Sequence, residues 1–158
     1  RDAQESRGLG DVYNRQIFDN IVAVSGTKKE AIRTISRLCA KQTLLDATQL
    51  EKAFWKREEW DSTGCGEGIA IPHAIIKEID EVQLFIVRFR YPIEWESFDD
   101  KKVDVAFAII APEEKGQEKY LVFLSRLARK LVDEKFIADF RNCRSTEAVY
   151  QYVKNELE

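Results

Sequence analysis

The sequence predicts an α/β sandwich, one sheet with helices packed on both of its faces. Three observations lead there: two capping signals followed by apolar residues at helical spacing before residue 60, two strand-like runs between Val82 and Ala111, and a return to helical spacing from Glu118 onward. Helices, then strands, then helices within one unit are the pattern of layers built around a single sheet. The 158 residues suffice for one well-buried core and not naturally for two.

Residues 1–16 are polar, carry Gly8 and Gly10 and show no sustained period, so they read as a leader or linker ahead of a domain spanning 17–158. The chain contains no methionine, so Arg1 is expected to follow a processing site or to begin a segment of a longer polypeptide. Val22-Ala23-Val24 suits a short strand. Thr27-x-x-Glu30 is a capping-box pattern, and it opens a helix whose Ile32, Ile35, Leu38 and Cys39 share a face. Asp46-x-x-Gln49 repeats the device, followed at helical spacing by Leu50, Ala53, Phe54 and Glu58, with Arg57 in the last turn.

Strand patterns come next. Val82 to Tyr91 alternates, with Leu84, Ile86 and Arg88 on one side and Phe85, Val87, Phe89 and Tyr91 on the other. Val103 to Ala111 is a nearly continuous apolar run, as expected for a strand buried on both faces, and Pro92-Ile93-Glu94-Trp95 begins a hairpin-like connection between the two. From Glu118 to Leu131 a stripe of Leu121, Leu124, Leu127, Ala128 and Leu131 predicts a helix, and two shorter helices follow around Phe136–Phe140 and Thr146–Leu157.

Composition narrows the function. With 44% hydrophobic and 34% charged residues the chain reads as soluble and globular, and a net charge of −3 offers no basic footprint for nucleic acid or an anionic membrane. No apolar run approaches the roughly 20 residues that span a bilayer. Cys39, Cys65 and Cys143 form neither a metal-spaced pair nor a disulfide framework, and one histidine leaves too few soft ligands for zinc, so a reducing cytoplasm is the expected compartment.

The chemistry concentrates in the run Ser62-Thr63-Gly64-Cys65-Gly66-Glu67-Gly68-Ile69-Ala70-Ile71-Pro72-His73, which ends on the only histidine. Imidazole has an unperturbed pKa of about 6.5 and is both a nucleophile and a proton donor near neutrality. The glycines can expose backbone N–H groups to an oxyanion, Ser62 and Thr63 add hydroxyl donors, and Arg57 offers a cation for phosphoryl oxygens. Pro72 holds Ile71 extended and fixes its own φ, so His73 is delivered in a defined direction. Taken singly each residue has a bland reading: a structural histidine, turn-forming hydroxyls, a solvated arginine. Their joint order points to phosphoryl transfer, where catalysis is mostly placement and charge stabilisation.

Arg57-Glu58-Glu59, Ser62-Thr63-Gly64 and Ile69-Ala70-Ile71-Pro72-His73 stand in an order and spacing that resembles the signature of the fructose, mannitol and nitrogen-related enzyme IIA proteins of the bacterial phosphoenolpyruvate-dependent phosphotransferase system. The resemblance runs from about Ile17 to the end of the chain and is specific at the loop. It implies a mixed parallel and antiparallel sheet, and a phosphoryl group accepted on His73 from phospho-HPr. That group is passed to an enzyme IIB partner in sugar uptake or read as a signal by a regulator or transporter. It further implies that Arg57, Ser62, Thr63 and the amides around Gly64 stabilise the migrating oxygens, with no metal or organic cofactor. Many members carry a second histidine at the start of the helix after the last strand. Here that place is held by Tyr120, which can donate a hydrogen bond but cannot become a cation, or which merely covers the helix surface.

A rival from another class is a cysteine hydrolase with Cys65 as nucleophile and His73 as base, since a loop thiol near backbone donors can have a lowered pKa. It lacks an Asn or Asp evidently placed to orient the imidazole.

Overall fold

The structure, a computed structural model, describes residues 16–158. Its elements in chain order are β1 (Ile17–Ile21), a 3-10 turn (Val24–Gly26), α1 (Lys28–Thr43), α2 (Ala47–Trp60), β2 (Gly64–Gly66), β3 (Ile69–Ala70), β4 (His73–Ile76), β5 (Gln83–Ile93), β6 (Val103–Pro112), α3 (Gln117–Leu131), α4 (Glu134–Arg141) and α5 (Thr146–Leu157). The strands form one six-stranded sheet in the order β1-β5-β6-β3-β2, with β4 also beside β6. β1 runs parallel to β5, and β3 and β4 run parallel to β6. The β5–β6 and β2–β3 pairs are antiparallel, so the sheet is mixed.

Both faces of β5 and β6 are covered. On one side α1 and α2 set Ile32, Ile35, Cys39, Leu50 and Phe54 against Phe85, Val87, Ala106, Ala108 and Ile110. On the other, Phe123, Leu127, Phe136, Phe140, Val149 and Val153 of α3, α4 and α5 meet Leu84, Ile86, Val105, Phe107 and Ile109. Successive side chains of a strand point to opposite faces, which is why neighbours such as Phe107 and Ala108 belong to different layers. Each large side chain buried in this way contributes roughly 1.5–3 kcal/mol.

The helix starts are built as the sequence predicts. Thr27 Oγ1 accepts from the Glu30 N–H at 3.2 Å, and Asp46 Oδ2 from the Gln49 N–H at 2.9 Å. The first box is only half made, because the Glu30 carboxylate reaches Arg33 at 3.4 Å instead of turning back.

Two predicted elements are displaced. The first strand is Ile17–Ile21 and not Val22–Val24: Ile17 and Phe18 pair with Ile86 and Val87, while Val22 and Val24 are exposed. Ser25 and Gly26 then take positive φ and turn the chain so that the Gly26 carbonyl accepts from the Glu94 N–H at 2.9 Å. Gln16, assigned to the leader, is already inside the fold, buried with its carbonyl accepting from the Ile86 N–H at 2.9 Å. The rest of that leader lies outside the described residues. In α3 the buried stripe is Tyr120, Phe123, Leu127 and Leu131, whereas Leu121 is 56% exposed. The two stripes share Leu127 and Leu131, and in the first half of the helix the larger apolar area of Tyr120 and Phe123 turns those two inward and leaves Leu121 outside.

β3 and β4 are one strand interrupted. Ile69 and Ala70 lie opposite Val105 and Ala106, and His73 and Ala74 lie opposite Ile109 and Ile110, the same offset on either side of Ile71-Pro72. Proline has no N–H for the ladder, and strands accommodate it at breaks of this kind. The Ile71 N–H is turned away from β6 and donates to the Thr63 carbonyl at 3.0 Å, while the Pro72 carbonyl still accepts from Ile109 at 2.9 Å. No helix among the described residues is long and apolar enough to cross a membrane.

The rotation of α3 is open to test by denaturant unfolding. Phe123→Ala should cost about 3–5 kcal/mol, and Leu121→Ala should stay within about 0.5 kcal/mol. The opposite ranking would restore the stripe through Leu121.

Candidate functional site

His73 opens β4, pinned beside Ile109 of the central strand. Only 7% of the residue is exposed, and Nδ1 is sealed from solvent without a hydrogen-bond partner. Burial, and then the Arg57 guanidinium, hold the imidazole down at about 4, with the Ile71 backbone favouring the proton and opposing them. At neutral pH the ring is therefore uncharged and keeps a free lone pair.

Two layers of the fold bring a side chain to this ring. Tyr120, in the first turn of α3, meets it edge-on, with centroids 6.3 Å apart and planes at 81°. Its phenol is pushed up by burial, against the pull of Arg57, so at neutral pH it keeps its proton and can donate. Arg57, in the last turn of α2, donates to the Asp61 carbonyl at 2.6 Å and lies over the Trp60 ring at 5.8 Å. Of the sequence-predicted residues, Tyr120 stands against His73, while Arg57 is held on Asp61 and Trp60 and reaches both rings through its charge.

The hydroxyls are used differently from the way their position suggests. Ser62 Oγ donates to the Glu96 carbonyl at 2.7 Å and accepts from the Gly64 N–H at 3.3 Å. The Thr63 hydroxyl donates to Glu58 Oε2, and its N–H donates to Glu58 Oε1 at 3.2 Å. In this structure these protons hold the loop's shape and do not point into open space. Gly64 is required for close approach, since a Cβ there would collide with the Glu96 carbonyl oxygen. At Gly66, where φ is +90°, a Cβ would strike the Phe98 ring.

Sequence reading put Glu58 on the apolar face of α2 without giving it a role, and it did not single out Lys28. Glu58 is a buried carboxylate, its side chain 0% exposed, paired with Lys28 Nζ at 2.7 Å. Lys28 also pairs with Glu96 at 2.8 Å, and its Nζ lies 5.8 Å from the Trp55 ring centre and 5.4 Å from that of Trp95. Burial alone would lower the lysine, and its hydrogen bonds to Glu58 and Glu96 together raise it. The available signal was a glutamate at an apolar position of α2, one helical step beyond Leu50 and Phe54.

Cys65 does not form a nucleophile–base pair with His73. Its thiol donates to the Thr63 carbonyl at 3.5 Å and packs against the core under α3, α4 and α5. Burial, reinforced by Glu58, pushes it up to about 11, so it stays a thiol at neutral pH. The hydrolase reading requires a thiolate and is not supported here.

A base whose folded pKa is depressed takes its proton first in the unfolded chain. Stability is therefore complete above about 6.5, the unfolded value, and is lost as pH falls through the folded value of about 4. Unfolding free energies of wild type and His73→Gln, measured in urea from about pH 7 to about pH 4, should diverge in favour of the variant. The divergence should be on the order of 3 kcal/mol. Parallel curves would show that the imidazole titrates normally.

Comparison with known proteins agrees with this geometry. Residues 15–156 match the family described as phosphoenolpyruvate-dependent sugar phosphotransferase system, EIIA 2. The nitrogen regulatory protein of Escherichia coli (strain K12) is 35% identical over 147 residues, which is 92% of this chain and 88% of that protein. The crystal structure of the nitrogen regulatory protein IIA-Ntr from Neisseria meningitidis superposes with a TM-score of 0.80 at 25% identity, covering 91% of this chain and 97% of that one. Enzyme IIAMTL of Escherichia coli, solved in complex with phosphorylated enzyme IIBMTL, shares the fold with a TM-score of 0.69 at 20% identity, covering 89% of this chain and 95% of that chain. The chain belongs to the EIIA 2 family of the phosphoenolpyruvate-dependent sugar phosphotransferase system.

Proposed function

We propose that this chain is a cytoplasmic histidine phosphocarrier whose nucleophile is His73. The observation that carries the reading is a buried imidazole fixed at the head of β4 with the Tyr120 ring edge-on to it, and the Arg57 charge acts on it from the last turn of α2. Nδ1 is sealed from solvent, so in this reading the attacking nitrogen is Nε2. Its lone pair attacks the phosphorus of phospho-HPr, the donor's P–N bond breaks, and the donor imidazole leaves with that electron pair. In the onward step a nucleophile of the enzyme IIB partner attacks the phosphorus, the His73 P–N bond breaks, and Nε2 recovers its lone pair.

Arg57 is the cation for the migrating oxygens, and Tyr120 a neutral donor beside them. Ser62, Thr63 and Gly64 act through the loop that they shape. Neither a metal nor an organic cofactor enters this chemistry. The regulatory form of the reading is favoured by the relative named nitrogen regulatory protein. In that form the phosphorylated site is read by a regulator or transporter, because added charge on a partner-facing surface switches docking. Solution of enzyme IIAMTL with phosphorylated enzyme IIBMTL supports the transfer form.

Incubation with phosphoenolpyruvate, enzyme I and HPr should add one acid-labile, base-stable phosphoryl group to wild type by intact mass, and none to His73→Ala. An acid-stable adduct, or one that persists in the variant, rejects the reading. Cys65→Ala should accept phosphate at nearly the wild-type rate.

Tyr120→Phe should slow acceptance about two- to tenfold, the loss of one neutral hydrogen bond. Tyr120→His should speed it as pH falls, through a group that can become cationic. Identical pH–rate profiles for all three proteins would place Tyr120 outside the reaction.

A further inference from the structure

We infer that Glu58 is a positioning residue for the reaction of His73, acting through Thr63 and braced by Lys28; this rests on the phosphocarrier reading above. Glu58 has its contacts with Lys28 and Thr63, and His73 is not among them. Its two oxygens receive three donors: Lys28 Nζ at 2.7 Å and the Thr63 N–H at 3.2 Å on Oε1, and the Thr63 hydroxyl on Oε2. The Thr63 carbonyl in turn accepts from the Ile71 N–H at 3.0 Å. A continuous path therefore runs from α2 through Glu58, Thr63 and Ile71 to the proline that delivers His73.

A second path starts from the same lysine. Lys28 pairs with Glu96 at 2.8 Å, and the Glu96 carbonyl receives Ser62 Oγ at 2.7 Å. Ser62 and Thr63, the two residues that enter the loop, are each tied to a carboxylate-bearing residue that Lys28 holds. Glu58 also follows Arg57 directly on α2. The turn of helix that carries the cation thus also carries the clamp on the loop.

Stability alone does not account for this arrangement. Apolar residues of similar volume often replace a buried ion pair with no loss, whereas a misplacement of about 1 Å at a reacting centre can cost about a hundredfold in rate. A carboxylate is suited to the task because it only accepts, and here all three neighbours donate. In Glu58→Gln one oxygen becomes an NH2 group that opposes a donor.

The test is single-turnover phosphoryl acceptance from phospho-HPr by the full chain. Wild type, Glu58→Gln, Thr63→Val, Thr63→Ser and the Glu58→Gln/Thr63→Val double variant are compared as a function of donor concentration. Glu58→Gln and Thr63→Val should each lower the limiting rate roughly 10- to 100-fold with little change in the half-saturating donor concentration. Thr63→Ser, which restores the hydroxyl, should stay within about threefold, and the double variant should be no slower than the slower single.

A donor-independent readout is the NMR titration of His73 in the unphosphorylated proteins. The value of about 4 should rise toward that of free imidazole in Glu58→Gln and Thr63→Val but not in Thr63→Ser. Full rates in Glu58→Gln and Thr63→Val, multiplicative effects in the double variant, or Thr63→Ser as slow as Thr63→Val would overturn the inference and leave the phosphocarrier reading standing. If wild type itself takes no phosphate, that reading falls, and the titration alone decides the clamp. Should Glu58→Gln fail to fold, the Val and Ser variants of Thr63 carry the comparison.

Discussion

The parallel pairing of β4 with the second half of β6 is the constraint on which the site depends. β6 is buried on both faces, so its register cannot slip by one residue without sending each apolar set into the wrong layer. His73 is fixed opposite Ile109 by that register, at the point where the strand resumes after Pro72. The layers then bring their groups to it from both sides, α2 with Arg57 and α3 with Tyr120. An imidazole on a loop could be moved by solvent, whereas this one is part of the sheet.

Burial sets the ionisation of the groups around it. It holds His73 neutral, keeps Tyr120 protonated and leaves Cys65 a thiol, three effects of one cause on groups of different chemistry. Arg57 works with burial at His73, since a nearby cation also disfavours the imidazolium, and against it at Tyr120. The result is a nucleophile with a lone pair and donors that do not lose their protons near pH 7. Lys28 shows the opposite balance, because two carboxylates outweigh the cost of covering it.

Much of the fold was legible because local rules and tertiary packing agree. The caps Thr27 and Asp46, the alternation of Leu84 to Phe89 and the continuous apolar run of β6 are local signals that survive folding unchanged. Where two phases fit the same spacing, as in α3, the larger side chains chose between them and Leu121 was left outside. The first strand moved upstream because pairing with β5 rewards Ile17 and Phe18, and no window of a few residues contains that partner.

The sequence by itself determined the layered α/β class, the single imidazole, the proline that aims it and the arginine in the preceding helical turn, because each follows from residue type and short-range spacing. Only the tertiary structure decided that Ser62 and Thr63 spend their hydroxyl protons on Glu96 and Glu58. It alone showed that Lys28 and Glu58 form the buried brace behind the loop, and that the ring of Tyr120 stands against His73. These are contacts between segments far apart in the chain. Their partners are chosen by which donors and acceptors the packed layers bury together, where each must be satisfied, and that choice does not exist until the layers close.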